Sequence, residues 1–522
     1  MPNPLRWLAS LPWETRALLI VCGLGLLLRL WPLGGGSLDY DEGVYWQSLR
    51  ALSAGHPLFT DIFSSQPPGF LLCIYPFYLL FGQSLVAARL AIMLYSLAGL
   101  VAMYLLGRAI GGRWTGIVAC ALLAVDPLYL IESRTLQAEA PSVAFQLACV
   151  ALAALAMRRT GRARHLLALA SGVALGLGVM VKLFDVVAAV PALMYLLLPV
   201  GLVCLDEMGR LRRPARRDLV HGAREALPDV ALLVVGTVGA MLLVLLPYLP
   251  HWGAVYDQVV AFHLRAGHAF NYGLLHNLQE IARAGEEYPV FIVAVVAVAF
   301  AVYRRDWRIL PPALWLLVSF IFLVQQQPLL DHHRVLLSAP LALTAAVGLA
   351  IAASVWPNSA PAGKRRSLPP DHQRQRQGVA MLALTGLTLI AGLAFGLHDA
   401  RISAQPPTEA QMQMVVALER LTVPGAVVVC DDQYIAGLAD RNVPPELVDT
   451  SLVRIRAGYL TATQLEAAIT RSNARAILFA SGRFELIPGF KEWVQANFPQ
   501  QVNAGDGHIL YMKAPTPSSA PV

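Results

Sequence analysis

The sequence predicts a polytopic α-helical membrane protein of about eleven or more spans, with a small α/β domain at its C-terminal end. Three observations lead there. Of 522 residues, 57% are hydrophobic and only 14% are charged, whereas an ordinary soluble domain carries about 25% charged residues. Apolar runs close to the length needed to cross a bilayer recur along residues 1–400. Beyond Leu397 the pattern changes to short, alternating helix-like and strand-like segments.

The runs that read as spans are Ala17–Trp31, Leu85–Leu106, Gly116–Ile131, Val143–Met157, Leu166–Val181, Val186–Val203, Val230–Leu249, Val290–Val302, Leu310–Val324, Val335–Ala352 and Ala380–Leu397. The first run lacks an A-x-A cleavage site within Ala17–Leu33 and reads as a retained span. Gly69–Phe81 is apolar but short and begins after Pro67-Pro68, so it reads as a re-entrant or interfacial element within a first outer loop, residues 33–84. With that count the positive-inside rule holds along the chain. Arg108 and Arg113, then Arg158, Arg159, Arg162 and Arg164, fall on the cytoplasmic side. So do Arg210, Arg212, Arg213, Arg216 and Arg217, then Arg304, Arg305 and Arg308, then Lys364, Arg365 and Arg366. The net charge of +7 is therefore a topology signal and not a nucleic-acid stripe. The expected setting is a bacterial inner membrane, with no nucleic acid among the partners.

Residues 401–514 read as an extracytoplasmic domain. Helices are expected at Thr408–Leu421, Thr463–Thr470 and Phe490–Phe498, and strands at Ala426–Cys430, Ala476–Ala480 and His508–Met512. Thr463 and Glu466 have capping-box spacing. The tail Pro515–Val522 is expected to be disordered. Six cysteines (Cys22, Cys73, Cys120, Cys149, Cys204, Cys430) are scattered without CxxC or zinc spacing.

On this topology the ionisable groups that flank apolar runs gather on the outer face: Asp41-Glu42, Glu132, Glu139, Lys182, Asp185 and Asp331-His332-His333-Arg334. The long loop His251–Glu287, with His263, His268 and His276, is expected there too. Asp39, Asp41 and Glu42 crowd three carboxylates into four positions at the start of an amphipathic segment, Glu42–Ser53. One acid suffices to cap a helix, whereas a crowded carboxyl gains a raised pKa and can act as a base towards a hydroxyl. Asp39 is assigned only to solvating the loop. Lys182 is a cation on the face that the rule leaves poor in cations, in a chain whose default cation is arginine. The pair His332-His333 sits where it can meet a polar headgroup.

The order of Asp41-Glu42, an amphipathic helix, Ser65-Gln66-Pro67-Pro68-Gly69-Phe70, Phe81-Gly82 and Ala88-Arg89-Leu90 resembles the C-type (GT-C) membrane glycosyltransferases. Within them it resembles the protein O-mannosyltransferase and lipid A aminoarabinose transferase group (glycosyltransferase family 39-like). The resemblance covers Ala17 to about Ala352. It implies transfer of a sugar from a polyprenyl-phosphate donor to an acceptor hydroxyl on a protein, lipid or glycan, with inversion. It makes Asp41 the carboxylate that activates the acceptor, Glu42 its partner, and Glu139 a second acidic residue where relatives usually have aspartate. Lys182 resembles a lysine that contacts the donor phosphate, with Arg134 and Arg334 as further cations for the leaving group. Gln66 stands where relatives often carry lysine or histidine, and with Tyr45, His332 and His333 it is expected on the substrate side. The resemblance implies no certain cofactor: some C-type members use a divalent metal, this closer group is not expected to, and metal dependence stays open on sequence grounds. No Rossmann fingerprint or P-loop is present in the sequence, in keeping with a lipid-linked donor. Two other classes remain open on sequence grounds: a transporter, which calls for charges near mid-span, and a non-catalytic scaffold for envelope assembly.

Overall fold

The computed structural model describes residues 11–31, 33–37, 39–198, 201, 216–353 and 372–513. It is a multi-pass helical bundle with a small sheet at its C-terminal end. The basic residues Arg210, Arg212, Arg213, Lys364, Arg365 and Arg366, together with Cys204, the end of the Val186–Val203 run and the tail Pro515–Val522, lie outside the described residues.

In chain order the first helices are α1 (Trp13–Leu30), α2 (Tyr40–Ser53), α3 (Gly69–Leu80), α4 (Leu85–Gly111), α5 (Arg113–Ala124), α6 (Pro127–Glu132), α7 (Glu139–Ala156) and α8 (Gly161–Val181). A 3-10 segment, Leu183–Ala188, leads into α9 (Ala189–Leu196), followed by α10 (Arg216–Leu245), α11 (Trp252–Tyr256), α12 (Phe262–Ala269) and α13 (Leu274–Glu287). Then come α14 (Val290–Arg304), α15 (Leu310–Gln325), a 3-10 segment Asp331–Leu337 that runs into α16 (Ser338–Ala353), and α17 (His372–Ser403). Among the described residues seven helices are long and apolar enough to cross a membrane, and four shorter apolar helices accompany them. Within the described residues the predicted spans lie on helical segments, two of them (Gly116–Ile131 and Val186–Val203) on a pair of shorter ones. The stretch Asp331–Ala353 is almost wholly buried and forms the centre of the bundle.

Several expectations change. Gly69–Phe81 is a regular helix, α3, but its 12 residues reach only about 18 Å at 1.5 Å each, short of a ~30 Å hydrocarbon core. The run Gly116–Ile131 breaks in two, because Asp126 caps a new helix by accepting the Tyr129 amide (2.8 Å) with Pro127 at its first position. The stretch His251–Glu287 is helical and not a loop. Val255, Val259, Phe262, Ala266 and Phe270 recur at helical spacing and are all buried.

Close helix contact is built from small residues, as expected where lipid removes the hydrophobic drive between helices. Gly172 and Gly176 of α8 lie directly against the Leu233 and Thr237 carbonyls of α10, and Gly236 answers at Leu169. Elsewhere in the bundle Arg29 is fully buried. It donates to Ser96 Oγ (2.5 Å) and to the Gly25 and Ala124 carbonyls (3.0 and 3.2 Å), tying α1 to α4 and α5.

The C-terminal part holds α18 (Glu409–Leu421), β1 (Val428–Cys430), α19 (Gln433–Leu438), α20 (Leu452–Arg456), α21 (Ala462–Ser472), β2 (Ala476–Phe479), α22 (Phe490–Asn497), β3 (Gln500–Asn503) and β4 (Ile509–Met512). The sheet order is β1-β2-β4-β3, with β1 parallel to β2 and β4 antiparallel to both its neighbours. Each predicted helix and strand is present. The capping box is shifted from its expected place: Thr461 and Gln464 form it on α21, and Thr408 and Gln411 form another on α18. One apolar core lies wholly in this part (Leu465, Ile477, Phe484, Phe490), while Val428, Tyr434 and Leu478 belong to the core of the bundle.

The glycine contact makes a direct prediction. Gly172→Val drives a side chain into the Leu233 carbonyl and should cost about 1–3 kcal/mol as an overpacking change. Thermal unfolding in detergent checks this; an unchanged Tm would mean that α8 and α10 are not held at this distance.

Candidate active site

The site starts at the N-terminus of α2. Asp39 is its N-cap, with Oδ1 accepting the Asp41 amide (2.8 Å), so Asp41 and Glu42 occupy the first turn, where the helix dipole favours negative charge. The three carboxylates then meet three different fates.

Glu42 is fully buried and locked. Its Oε1 accepts Arg89 Nε (2.7 Å) and the Leu136 amide (2.8 Å), and its Oε2 accepts the second Arg89 donor (2.6 Å). Arg89 spends its remaining donors on the Leu33, Gly35 and Gly36 carbonyls, pinning the loop that precedes α2. This is a two-pronged, fully hydrogen-bonded buried ion pair, and it leaves Glu42 no room to act on a substrate.

Asp39, expected only to solvate the loop, instead bridges two helix ends. Its Oδ2 meets His332 Nδ1 at 3.0 Å. Burial works against its charge, but the His332 hydrogen bond, the His332 charge and the Asp41 amide outweigh burial and hold Asp39 down to about 2.

Asp41 is half-buried, and its carboxylate has no hydrogen-bond or ion-pair partner among the described residues. Its electrostatic neighbours are Asp39, His332, Asp449 and Glu139. Burial first, and then the Asp39 charge, push it up to about 7. Two carboxyls two residues apart are thus driven apart in proton affinity, with Asp39 holding the charge and Asp41 exchanging its proton near neutral pH.

From Asp39 a polar chain runs inwards. His332 Nε2 faces Glu139 Oε1 at 3.7 Å. Glu139, in the first turn of α7, forms an ion pair with Lys182, the residue that ends α8. The Lys182 ammonium also lies 4.9 Å from the Phe184 ring centroid, and Phe184 packs edge-on against His333 at 4.8 Å. His333 Nδ1 accepts the Leu330 amide (3.2 Å), which fixes the proton of the neutral ring on Nε2. Beneath this layer Asp185 is buried and held by Ser142 and by Gln146 (2.8 Å). Tyr45, also on α2, packs edge-on against Phe70 at 4.7 Å and feels the Asp41 and Glu139 charges.

Next to the chain, a polar cavity of about 420 Å³ is lined by Asp39, Glu132, Thr135, Gln137, His332 and Arg334 among others. Glu132 is buried with Oε2 unpartnered, and burial raises its carboxyl well above the ordinary range.

The structure therefore brings together Asp41, Glu139, Lys182, Tyr45, His332 and His333. It does not bring all the expected residues there. Arg134 donates to the Leu28 carbonyl (2.7 Å) at the end of α1. Arg334 lines the polar cavity, held by the Asp331 and Glu280 carbonyls (3.1 and 3.3 Å) and paired with the Asp331 side chain. Gln66 is half-buried at the entry to α3, and its side chain makes no hydrogen bond among the described residues. Sequence reasoning passed over the roles of Asp39 and Arg89. A signal existed for each: Asp39 stands at N-cap spacing before the helix, and Arg89 is a charge inside an apolar run that needs a partner.

Glu139, His332 and His333 place ligand atoms within 4.8 Å of one another, which is metal-site spacing. The donor set fits a divalent ion poorly, because Lys182 already stands on the Glu139 carboxylate.

Residues 65–208 match the family model described as dolichyl-phosphate-mannose-protein mannosyltransferase. Among solved structures, the chain is similar to ArnT from Cupriavidus metallidurans bound to undecaprenyl phosphate. The TM-score is 0.60 at 14% identity, over 97% of this chain and 99% of that one. It is also similar to the archaeal oligosaccharyltransferase AglB from Archaeoglobus fulgidus in complex with an inhibitory peptide and a dolichol-phosphate. There the TM-score is 0.55 at 13% identity, over 90% of this chain and 69% of that one. Among curated proteins none is a significant match. At these identities the likeness is one of fold.

The Glu42–Arg89 pair carries a stability prediction. Arg89→Leu strands a buried carboxylate and should cost about 3–5 kcal/mol. The measurement is thermal unfolding of the purified protein, and a Tm equal to wild type would show that Glu42 does not depend on Arg89.

Proposed function

We propose, from the premise that this chain is a multi-pass membrane protein with the GT-C glycosyltransferase fold, that it transfers a sugar from a polyprenyl-phosphate carrier to an acceptor hydroxyl. The observation that carries the reading is Asp41: a half-buried carboxyl without a partner among the described residues, poised near neutral pH beside a chain that ends in a buried ammonium. A base is most useful when its pKa lies near the working pH. The fold likeness to structures bound to undecaprenyl phosphate and dolichol-phosphate supports a lipid-linked donor.

In the proposed reaction Asp41 takes the acceptor O–H proton as that oxygen attacks the anomeric carbon. The carbon–oxygen bond to phosphate breaks from the opposite side, so the anomeric centre inverts. The polyprenyl phosphate leaves with the electron pair. Lys182 offers two ammonium donors beyond the one given to Glu139, and His333, which shares the Phe184 ring with Lys182, keeps an Nε2–H donor, so both are available to meet the phosphate charge. Glu139 and His332 orient Lys182, and Glu42 stays with Arg89 as a structural anchor for the Asp41 helix. The arginine pattern read by the positive-inside rule supports assigning the site and the C-terminal domain to the extracytoplasmic face of an inner membrane. The acceptor is a hydroxyl on a protein, lipid or glycan.

The reading is tested by incubating the purified protein with a panel of polyprenyl-phosphate sugars and following carrier release and transferred mass. Asp41→Asn should reduce transfer by about 10²–10⁴, the range lost with a general base, while membrane insertion is retained. Near-normal transfer by that variant removes Asp41 as the base. Because Asp41 acts deprotonated, kcat/KM should climb about tenfold per pH unit below about 7 and level off above it. A profile flat between pH 5 and 8 contradicts this assignment.

Metal dependence separates two versions of the mechanism. With Lys182 on Glu139, EDTA should leave the rate unchanged, and Lys182→Ala should cost about 10²–10³ as the loss of a charge-stabilising donor. Loss of activity in EDTA, restored by Mn²⁺, would put a divalent ion on Glu139, His332 and His333 in place of the ammonium.

A further inference from the structure

The C-terminal part is more than an attachment to the bundle, because most of its contacts with the first loop fall on one helix, the helix that carries Asp41. Gly43 of α2 sits so close to the Tyr434 backbone amide that a Cβ would collide with it. Trp46 lies on Gly437, and Gln47 Nε2 donates to the Arg441 carbonyl (3.1 Å). Arg50 donates to Asn442 Oδ1 (3.0 Å) and pairs with Asp440 (2.8 Å).

A further contact is made at the first residue of the helix. The Tyr40 hydroxyl accepts the Thr450 amide (3.0 Å) and shares a hydrogen bond with Thr450 Oγ1 (2.8 Å), while the Arg483 guanidinium lies 3.8 Å over the Tyr40 ring. Thr450 is itself braced: the buried Gln433 amide donates to Thr450 Oγ1 (3.1 Å), to the Leu447 carbonyl (2.8 Å) and to Cys430 at the end of β1 (3.1 Å). The next residue back, Asp449, is buried, and its charge acts on both Tyr40 and Asp41. A helix N-terminus is thus gripped from 410 residues away, one position before Asp41.

We propose that the C-terminal part is an integral element of the reaction centre, in which the Tyr40–Thr450 latch sets the rotation of α2 and makes Tyr40 a positioning residue for Asp41. Geometry gives the lever. A side-chain tip stands roughly 6 Å from a helix axis, so a turn of about 20° moves it by about 2 Å. A displacement of about 1 Å at a reacting group is enough to cost about 10²-fold in rate. The Glu42–Arg89 pair fixes the opposite side of the same turn, so the latch and the ion pair together leave α2 one orientation.

This inference rests on the reading of Asp41 as base, so its test has one arm that needs no activity. In the full-length protein, Tyr40→Phe keeps the ring under Arg483 and removes only the hydroxyl, Thr450→Val removes the facing hydroxyl, and Thr450→Ser keeps it. Hydrogen exchange should show the amides of residues 40–46 opening faster in Tyr40→Phe and Thr450→Val but not in Thr450→Ser, with Tm close to wild type. Unchanged exchange in both overturns the latch, whether or not any sugar is turned over. With undecaprenyl-phosphate mannose as donor, or whichever sugar of the panel the wild type consumes, kcat should fall about tenfold or more in either variant with little change in donor KM. The double variant should be no worse than the worse single one, and Thr450→Ser should keep most of the rate. Additive losses in the double variant, or a Tyr40→Phe enzyme with wild-type kcat, overturn the positioning role. If the wild type consumes no donor, the proposed function fails and the exchange arm still decides the latch.

Discussion

A carboxylate removed from water must be given a counter-charge, a set of hydrogen-bond donors, or a proton, because an unpaired buried charge is too costly to persist. Much of this molecule follows from how that constraint is met at one end of the bundle. Glu42 takes a counter-charge from Arg89, Asp39 takes donors from His332 and the Asp41 amide, and Asp41 takes a proton. Glu139 pairs with Lys182, Asp185 collects Ser142 and Gln146, and burial raises the proton affinity of Glu132. Only the solution adopted by Asp41 leaves a carboxyl that can take up and give back a proton near neutral pH without breaking another contact.

The helices supply the framework for these solutions. Asp41 and Glu139 sit in the first turns of α2 and α7, and His332 is the second residue of the 3-10 segment that feeds the buried α16. Lys182 lies where α8 stops, with its amide still bonded to Gly178 (2.8 Å). Helix termini leave backbone groups free and favour acids at their N-ends. Several termini meeting in one layer can therefore hold a dense set of charges that the middle of a bundle could not.

The spans were legible in the sequence because a bilayer imposes a length and a polarity on any helix that crosses it. The C-terminal strands were legible from short apolar runs such as Val427-Val428-Val429, now in and beside β1. Asp41, Glu139 and Lys182 stood out for the same reason, since a charge at the end of an apolar run needs an explanation. The pairings were not legible. Lys182 and Glu139 are 43 residues apart, and Asp39 and His332 are 293 apart. Which charge lies opposite which is set by how helices pack, not by any local pattern. The same reason hid the helical character of His251–Glu287, whose apolar stripe is diluted by polar residues on the other face, and the Thr450 contact, which no local signal announces.

The Lys182–Glu139 pair gives the site a resting state that the proposed chemistry can use. Before a donor arrives, the ammonium and the carboxylate neutralise each other, so neither calls for outside counter-ions in a buried layer. On the proposed function, the donor phosphate would compete with Glu139 for this ammonium. The resting geometry shows what such a competition would touch: His332 is shared, facing Glu139 through Nε2 at 3.7 Å and Asp39 through Nδ1 at 3.0 Å. Asp39 is in turn the charge that, after burial, does most to raise the Asp41 carboxyl. One imidazole thus joins the Lys182–Glu139 pair to the Asp39–Asp41 pair, and in a layer of linked charges no single pairing is independent of the rest.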